Sequence, residues 1–323
     1  MNILITGGAG FIGSNLANYH VGIGDAVYVV DDLSSGSLTN ITDMRNSGHL
    51  EFTQADITTW SDLDKVVEWS DRIYHMAAIV GVKKVLANPR GVMYTNITGT
   101  ERLYQAIAKI KPSTQVLLAS TSEVYGFNPQ VSFRETDDII FKQSKSLRWC
   151  YAVTKLADEY LAGAFEQSNG VKTVIARLFN TIGPNQTGKY GWVVPQFISQ
   201  ALHNEPITIY GDGSQTRSFC DVRDTVRALD LLASTVAANG EVVNVGNDYE
   251  ISILQLANLI KKQTGSRSEI QFIPYLEAYG VEFEDIFHRR PVLSKLMDLT
   301  GFKPRGRLED TLDYLINIAK GIS

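Results

Sequence analysis

Apolar residues in the first half of the chain cluster in short runs at 2–6, 26–30, 50–54, 72–76, 115–120 and 171–178. Stretches of helical period separate them, at 12–22, 95–110 and 151–168 among others. Apolar runs of strand length alternating with amphipathic helices predict βαβ units and a parallel sheet covered on both faces. Past about residue 180 the texture changes. Gly183-Pro184-Asn185, Gly188, Gly191 and Gly211-Asp212-Gly213 break the chain into loops and short elements. A helix at 224–237 and a strand at 241–245, closed by Gly246, are expected to return to the first sheet. The expected architecture is therefore α/β, a doubly wound parallel sheet with a smaller, interleaved C-terminal domain. Residues 1–180, with a return segment at about 224–246, would form the first domain, and 181–323 mainly the second.

The first strand runs into Gly7, Gly10 and Gly13 and then a helix. In that setting Gly7 permits the tight turn, and Gly10 lets backbone approach a pyrophosphate. Gly13 lets helix pack on strand, so the helix start at Phe11 and Ile12 faces the anion. This is the dinucleotide-binding arrangement of a Rossmann-type domain. The second strand ends in Asp31-Asp32, eighteen residues beyond Gly13. A carboxylate there suits ribose hydroxyls and repels a 2′-phosphate, and no arginine precedes Arg45, so NAD is expected over NADP. The alternative for Asp31 is a solvated strand-end acid. Asp56, with Ile57, is placed to reach the adenine, or equally to cap the following turn.

Tyr151 and Lys155 stand four apart at the start of a helical stretch and share a face. An ammonium beside a phenol favours the phenolate, which makes Tyr151 a candidate general base and Lys155 its partner and a ribose ligand. Ser120-Thr121-Ser122-Glu123 closes the strand at 115–120, at the end where open sheets bind ligands. Thr121 is thus a candidate to hydrogen-bond the reacting oxygen, or else part of a self-satisfied hydroxyl turn.

Charge and composition narrow the field. Forty-four per cent of the 323 residues are hydrophobic, enough for a sizeable core, and the net charge of −5 excludes an obvious nucleic-acid partner. Two isolated cysteines, Cys150 and Cys220, argue for a reducing compartment without disulfides. No apolar stretch reaches membrane-spanning length and no leader pattern is visible, so a cytoplasmic, unprocessed protein is expected. The five histidines show no ligand spacing, and no metal is expected.

These segments resemble the extended short-chain dehydrogenase/reductases, specifically the NAD-dependent nucleotide-sugar epimerase/dehydratase family. The matching pieces are TGGAGFIG (6–13), VDDLSSG (30–36), QADI (54–57), HMAA (75–78), TNITGT (95–100) and ASTSEVYG (119–126). They continue through YAVTK (151–155), RLFNTIGP (177–184), YGDGSQTRSF (210–219) and GFKP (301–304). The resemblance implies Tyr151 as base with Lys155 and Thr121 beside it. It implies Ala77, Ala78, Asn96 and Ser120 around the cofactor, and Asn180, Arg217 and Arg289 on the substrate diphosphate. It also implies a recycled NAD, oxidation at sugar C4, and a homodimer joined through helices at about 95–110 and 151–167.

Within that family the reaction stays open. Glu123 after Ser122 resembles UDP-glucuronate decarboxylases and some 4,6-dehydratases, which use an acid for proton transfer at a keto intermediate, and QTRSF resembles the decarboxylases. Trp192 stands where decarboxylases commonly place an arginine, with Lys189 as a candidate replacement. A UDP-sugar 4-epimerase makes the fewest demands and ranks first here, then decarboxylase, then dehydratase. A dehydrogenase that releases NADH and a catalytically silent NAD sensor or scaffold are the other classes.

Overall fold

The computed structural model describes residues 1–142, 146–188, 192–279 and 285–322. Seven strands form the central sheet: β1 (Asn2–Thr6), β2 (Ala26–Asp31), β3 (Leu50–Gln54), β4 (Arg72–His75), β5 (Gln115–Thr121), β6 (Thr173–Leu178) and β7 (Val242–Val245). Their order is β7-β6-β5-β4-β1-β2-β3, and every neighbouring pair is parallel. The period of two along β1 sorts its side chains between layers. Ile3 and Ile5 pack with Leu16 and Leu229 on one face, while Leu4 packs with Leu103 and Ile107 on the other. Chain order reverses between β1 and β4, which opens a crevice beyond the carboxyl ends of those strands.

Three helices position the residues around this crevice: α1 (Phe11–Gly22), α2 (Pro89–Ile110) and α3 (Cys150–Asn169). The sequence places the second at 95–110, and the structure starts it six residues earlier. Pro89 occupies the first turn, and Asn88 caps it by accepting from the Gly91 amide at 3.0 Å. α3 ends at Gly170, whose φ of 70° is the left-handed stop that a side chain resists.

A second lobe contains α4 (Val193–Leu202), whose Phe197 shares a core with Ile207, Leu256 and Leu312. The chain leaves this lobe through α5 (Val222–Ser234), capped by Asp221, and then through β7, which pairs with β6. The helix therefore runs 222–234 rather than 224–237, because Thr235 turns extended and a separate short turn follows. The chain comes back once more at Leu293 and Leu296, buried against the core that holds Ile3 and Leu229. Cys150 and Cys220 are free thiols. Among the described residues no helix is long and apolar enough to cross a membrane.

Candidate active site

The crevice at the sheet's reversal point is a cleft of about 440 Å³ that runs from the glycine turn to the second lobe. Gly7 has φ +68°, and a Cβ there would sit 2.7 Å from the Ala77 amide nitrogen. A Cβ on Gly13 would lie 2.3 Å from the Gly7 carbonyl, so α1 can pack this close to β1 only without one. Gly10 caps α1 with extended backbone and no side-chain bond, leaving the helix start open towards an anion. Gly7, Gly10, Phe11, Ile12 and Gly13 all line the cleft, as do Ala77, Ala78 and Ser120.

Asp31 ends β2 with 8% of its surface exposed, so it is no solvated strand-end acid. Its Oδ2 accepts from the Ala9 amide at 3.0 Å and its Oδ1 from Leu33 at 2.8 Å. Burial pushes this carboxyl above the usual range, and the backbone donors oppose that push. Asp32 and Ile57 line the cleft beside it. Asp56 does too, but its Oδ1 takes the amide and hydroxyl of Thr58, both at 2.8 Å, so it caps its turn. A glycine cradle too tight for any Cβ, an open helix start and a held carboxylate fit an adenine dinucleotide.

Beneath the cradle His75 is buried, 2.7 Å from Thr6 Oγ1 and 3.0 Å from Thr100 Oγ1. Burial pushes its pKa down to about 3, and the Lys155 cation adds to this, so the ring is neutral. Asn96 does not line the cleft. It is buried, accepting from the Ile79 amide at 2.8 Å and donating to Thr154, and so it shapes the 77–81 loop from behind.

At the far end Tyr151, in the first turn of α3, and Thr121, at the end of β5, line the cleft together. Burial and the Glu123 charge hold the Tyr151 phenol above the usual tyrosine range, while Arg289 and Thr121 pull the other way. Lys155 is 2% exposed, and its Nζ donates to Asp158 Oδ2 at 3.1 Å. Glu123 lies 3.5 Å from Arg289 Nη1 and 3.7 Å from Arg148 Nη1. Ser122 sits behind the wall, fully buried, and its Oγ accepts from Arg289 Nε at 2.7 Å.

Arg289 is delivered from a distant part of the chain. After β5 the chain makes an excursion in which Phe133 N donates to Arg290 O and Val292 N to Phe133 O, both at 2.8 Å. Arg217 lines the cleft but is bound to Asp285 at 2.7 Å and to the carbonyls of Thr216 and Ile286. Asn180 lines it and donates to Ser218 O at 3.2 Å. Trp192 lines it with its ring 6.1 Å from that of Phe11. Lys189 lies outside the described residues.

Reasoning from sequence missed Arg148, Asp285 and Asp158. Arg148 had a visible signal, a cation three residues before Tyr151 in LRWCY, whereas Asp285 had none. Among the described residues no three His, Cys, Asp or Glu side chains are grouped to hold a metal.

Residues 3–246 match the model of the NAD dependent epimerase/dehydratase family. The chain belongs to that family. It is 36% identical to a UDP-N-acetyl-alpha-D-glucosaminuronate decarboxylase of Bacillus cytotoxicus, over 97% of this chain and 96% of that one. It is also 36% identical to UDP-glucuronic acid decarboxylase 1 of Danio rerio, over 97% and 71%. Among solved structures, UDP-glucuronic acid 4-epimerase from Bacillus cereus, in complex with UDP-glucuronic acid and NAD, superposes with a TM-score of 0.89 at 28% identity, covering all of both chains. UDP-glucose 4-epimerase from Thermotoga maritima, with UDP-glucose, gives the same TM-score, identity and coverage. The protein is thus an NAD-dependent nucleotide-sugar enzyme of the extended short-chain dehydrogenase/reductase type.

Proposed function

We propose that this family member decarboxylates a UDP-linked hexuronate through a 4-keto intermediate. The observation that carries the proposal is the Glu123 carboxylate set between Arg289 and Arg148 beside the Tyr151 phenol. A 4-epimerase has no use for an acid there, because its keto-sugar only turns over. Decarboxylation needs both a cation for the sugar carboxylate and a proton for the carbon left behind. The relatives at 36% identity, named as decarboxylases, support the same reading.

NAD bound at the Gly7–Gly13 turn supplies a reversible hydride acceptor for sugar C4. Tyr151 takes the O4 proton, with Thr121 holding the oxygen and Lys155 supplying a nearby positive charge. The 4-ketone makes the sugar acid a β-keto acid. Its C5–C6 bond breaks, carbon dioxide leaves, and the electron pair passes to O4, held by the Tyr151 and Thr121 hydroxyls. Arg148 and Arg289 orient the carboxylate before it leaves. Glu123, in the cluster with Ser122 and Arg289, takes up a proton from solvent water and passes it to C5. Tyr151 then returns its proton to O4 as C4 is reduced. Asn180, Trp192 and Arg217 would border the UDP portion.

The 4-epimerase reading, ranked first on sequence, stands second. It needs only Tyr151, Thr121 and Lys155, and the fold matches UDP-sugar 4-epimerases over its whole length. A homodimer through α2 and α3 is part of the proposal. The two helices pack together and expose Met93, Tyr94, Val153 and Tyr160.

The test is to give NAD-loaded protein UDP-glucuronate and its 2-acetamido analogue and to follow carbon dioxide and product mass. Loss of carbon dioxide is expected, and an isomer of unchanged mass would establish the epimerase. Glu123→Gln is expected to cut decarboxylated product about 100-fold while a transient NADH signal still forms.

A further inference from the structure

Asp158 is fully buried and pairs with a lysine that is itself 2% exposed. Taking two charges out of water costs several kcal/mol per ion, and the mutual attraction repays this only with excellent geometry. Stability alone is therefore a poor reason for an acid at this position. Its neighbour Glu159 has a separate task, bound to Arg177 at 2.7 and 3.0 Å and to Ser120 at 2.5 Å. Asp158 instead faces Lys155 through Oδ2, and its Oδ1 is buried with no hydrogen-bond partner among the described residues.

We infer that Asp158 is a positioning residue that holds the Lys155 ammonium and moderates how strongly this cation draws the proton from Tyr151. The inference rests on the reading of Tyr151 as the proton carrier. That phenol has to take a proton and later give it back. A bare lysine beside it would favour the phenolate so far that it became a weak base, whereas a paired lysine leaves its proton affinity high. The other charges acting on the Tyr151 phenol are Glu123, which like Asp158 itself raises its proton affinity, and Arg289, which lowers it; Arg148 stands against Glu123, the neutral His75 faces Lys155, and the closed Glu159–Arg177 pair lies on the β6 side. Asp158 is the carboxylate among these that touches the lysine.

Asp158→Asn removes the charge and keeps the shape. In the NAD-loaded protein, ultraviolet titration of the Tyr151 phenol reads the effect directly, as the difference between each form and the same form carrying Tyr151→Phe. The ionisation is expected to move down by about one pH unit, and the low-pH limb of kcat to move with it. KM for the sugar is expected to change less than about threefold. An unmoved ionisation with a lowered Tm would make Asp158 structural and overturn the inference. Asp158→Ser, which leaves room for water in place of the carboxylate, carries the same expectation if the first variant does not fold. Failure of both to fold overturns the inference as well. Undiminished turnover in Tyr151→Phe would instead sink the proposed function, a result the titration does not depend on.

Discussion

The two ends of the cleft are built from different materials. At the end proposed for NAD the fittings are backbone: Gly7 and Gly13 close against carbonyl and amide groups, and Asp31 is held by two amides. At the end proposed for the sugar they are side chains, with Glu123, Arg148, Arg217, Asp285 and Arg289 meeting as ion pairs from four separate segments. A backbone cradle is fixed within a short piece of chain, so it can persist while the chemistry next to it varies. A cluster of long charged side chains is re-aimed by one substitution. This matches a family in which NAD is shared and the fate of the keto-sugar differs among epimerases and decarboxylases.

If the two ends are independent, each should be breakable without the other. Tyr151→Phe has the largest expected effect: turnover falls by at least about 1,000-fold while NAD stays bound, read by product assay and by cofactor retained after desalting. Loss of NAD together with activity would show that the ends are coupled. Gly13→Ala should do the reverse. Its added carbon meets the Gly7 carbonyl, so α1 must move, and NAD affinity is expected to fall more than about tenfold by calorimetry. Retained affinity would mean that the helix start does not hold the phosphates. The smallest effect is expected for Asp31→Ala, a severalfold relaxation of the preference for NAD over NADP in reconstitution. An unchanged preference would place ribose recognition elsewhere.

The same contrast explains what could be read from sequence. Strand and helix periods located the seven sheet strands to within about two residues, because each lies in a continuous local pattern. The glycine turn, Asp31 and the Tyr151–Lys155 pair were legible for the same reason, being close in sequence as well as in space. Asp56 was legible only as a choice, and its two bonds to Thr58 show the capping role while it still lines the cleft. Asn96 was placed at the cofactor but supports the loop from behind, since depth is not written in a motif. Arg289 was named by resemblance alone, and there for the substrate diphosphate rather than for Glu123. Its approach to Glu123 spans 166 residues and depends on the excursion after β5, which no local period encodes.

That excursion has a consequence for how the enzyme can diversify. Phe133 stitches the segment carrying Arg289 to the sheet side of the molecule, and the Asn244 amide group donates to the Phe133 carbonyl at 2.9 Å to seal the seam. Arg289 is thus moored on one side to the sheet, while the second lobe has its own core around Phe197 and Leu256. The same segment is also tied to the second lobe, where the Ser218 hydroxyl donates to the Arg289 carbonyl at 3.2 Å and the Thr216 amide to Phe287, so remodelling that lobe for a different nucleotide handle would bear on Arg289 as well.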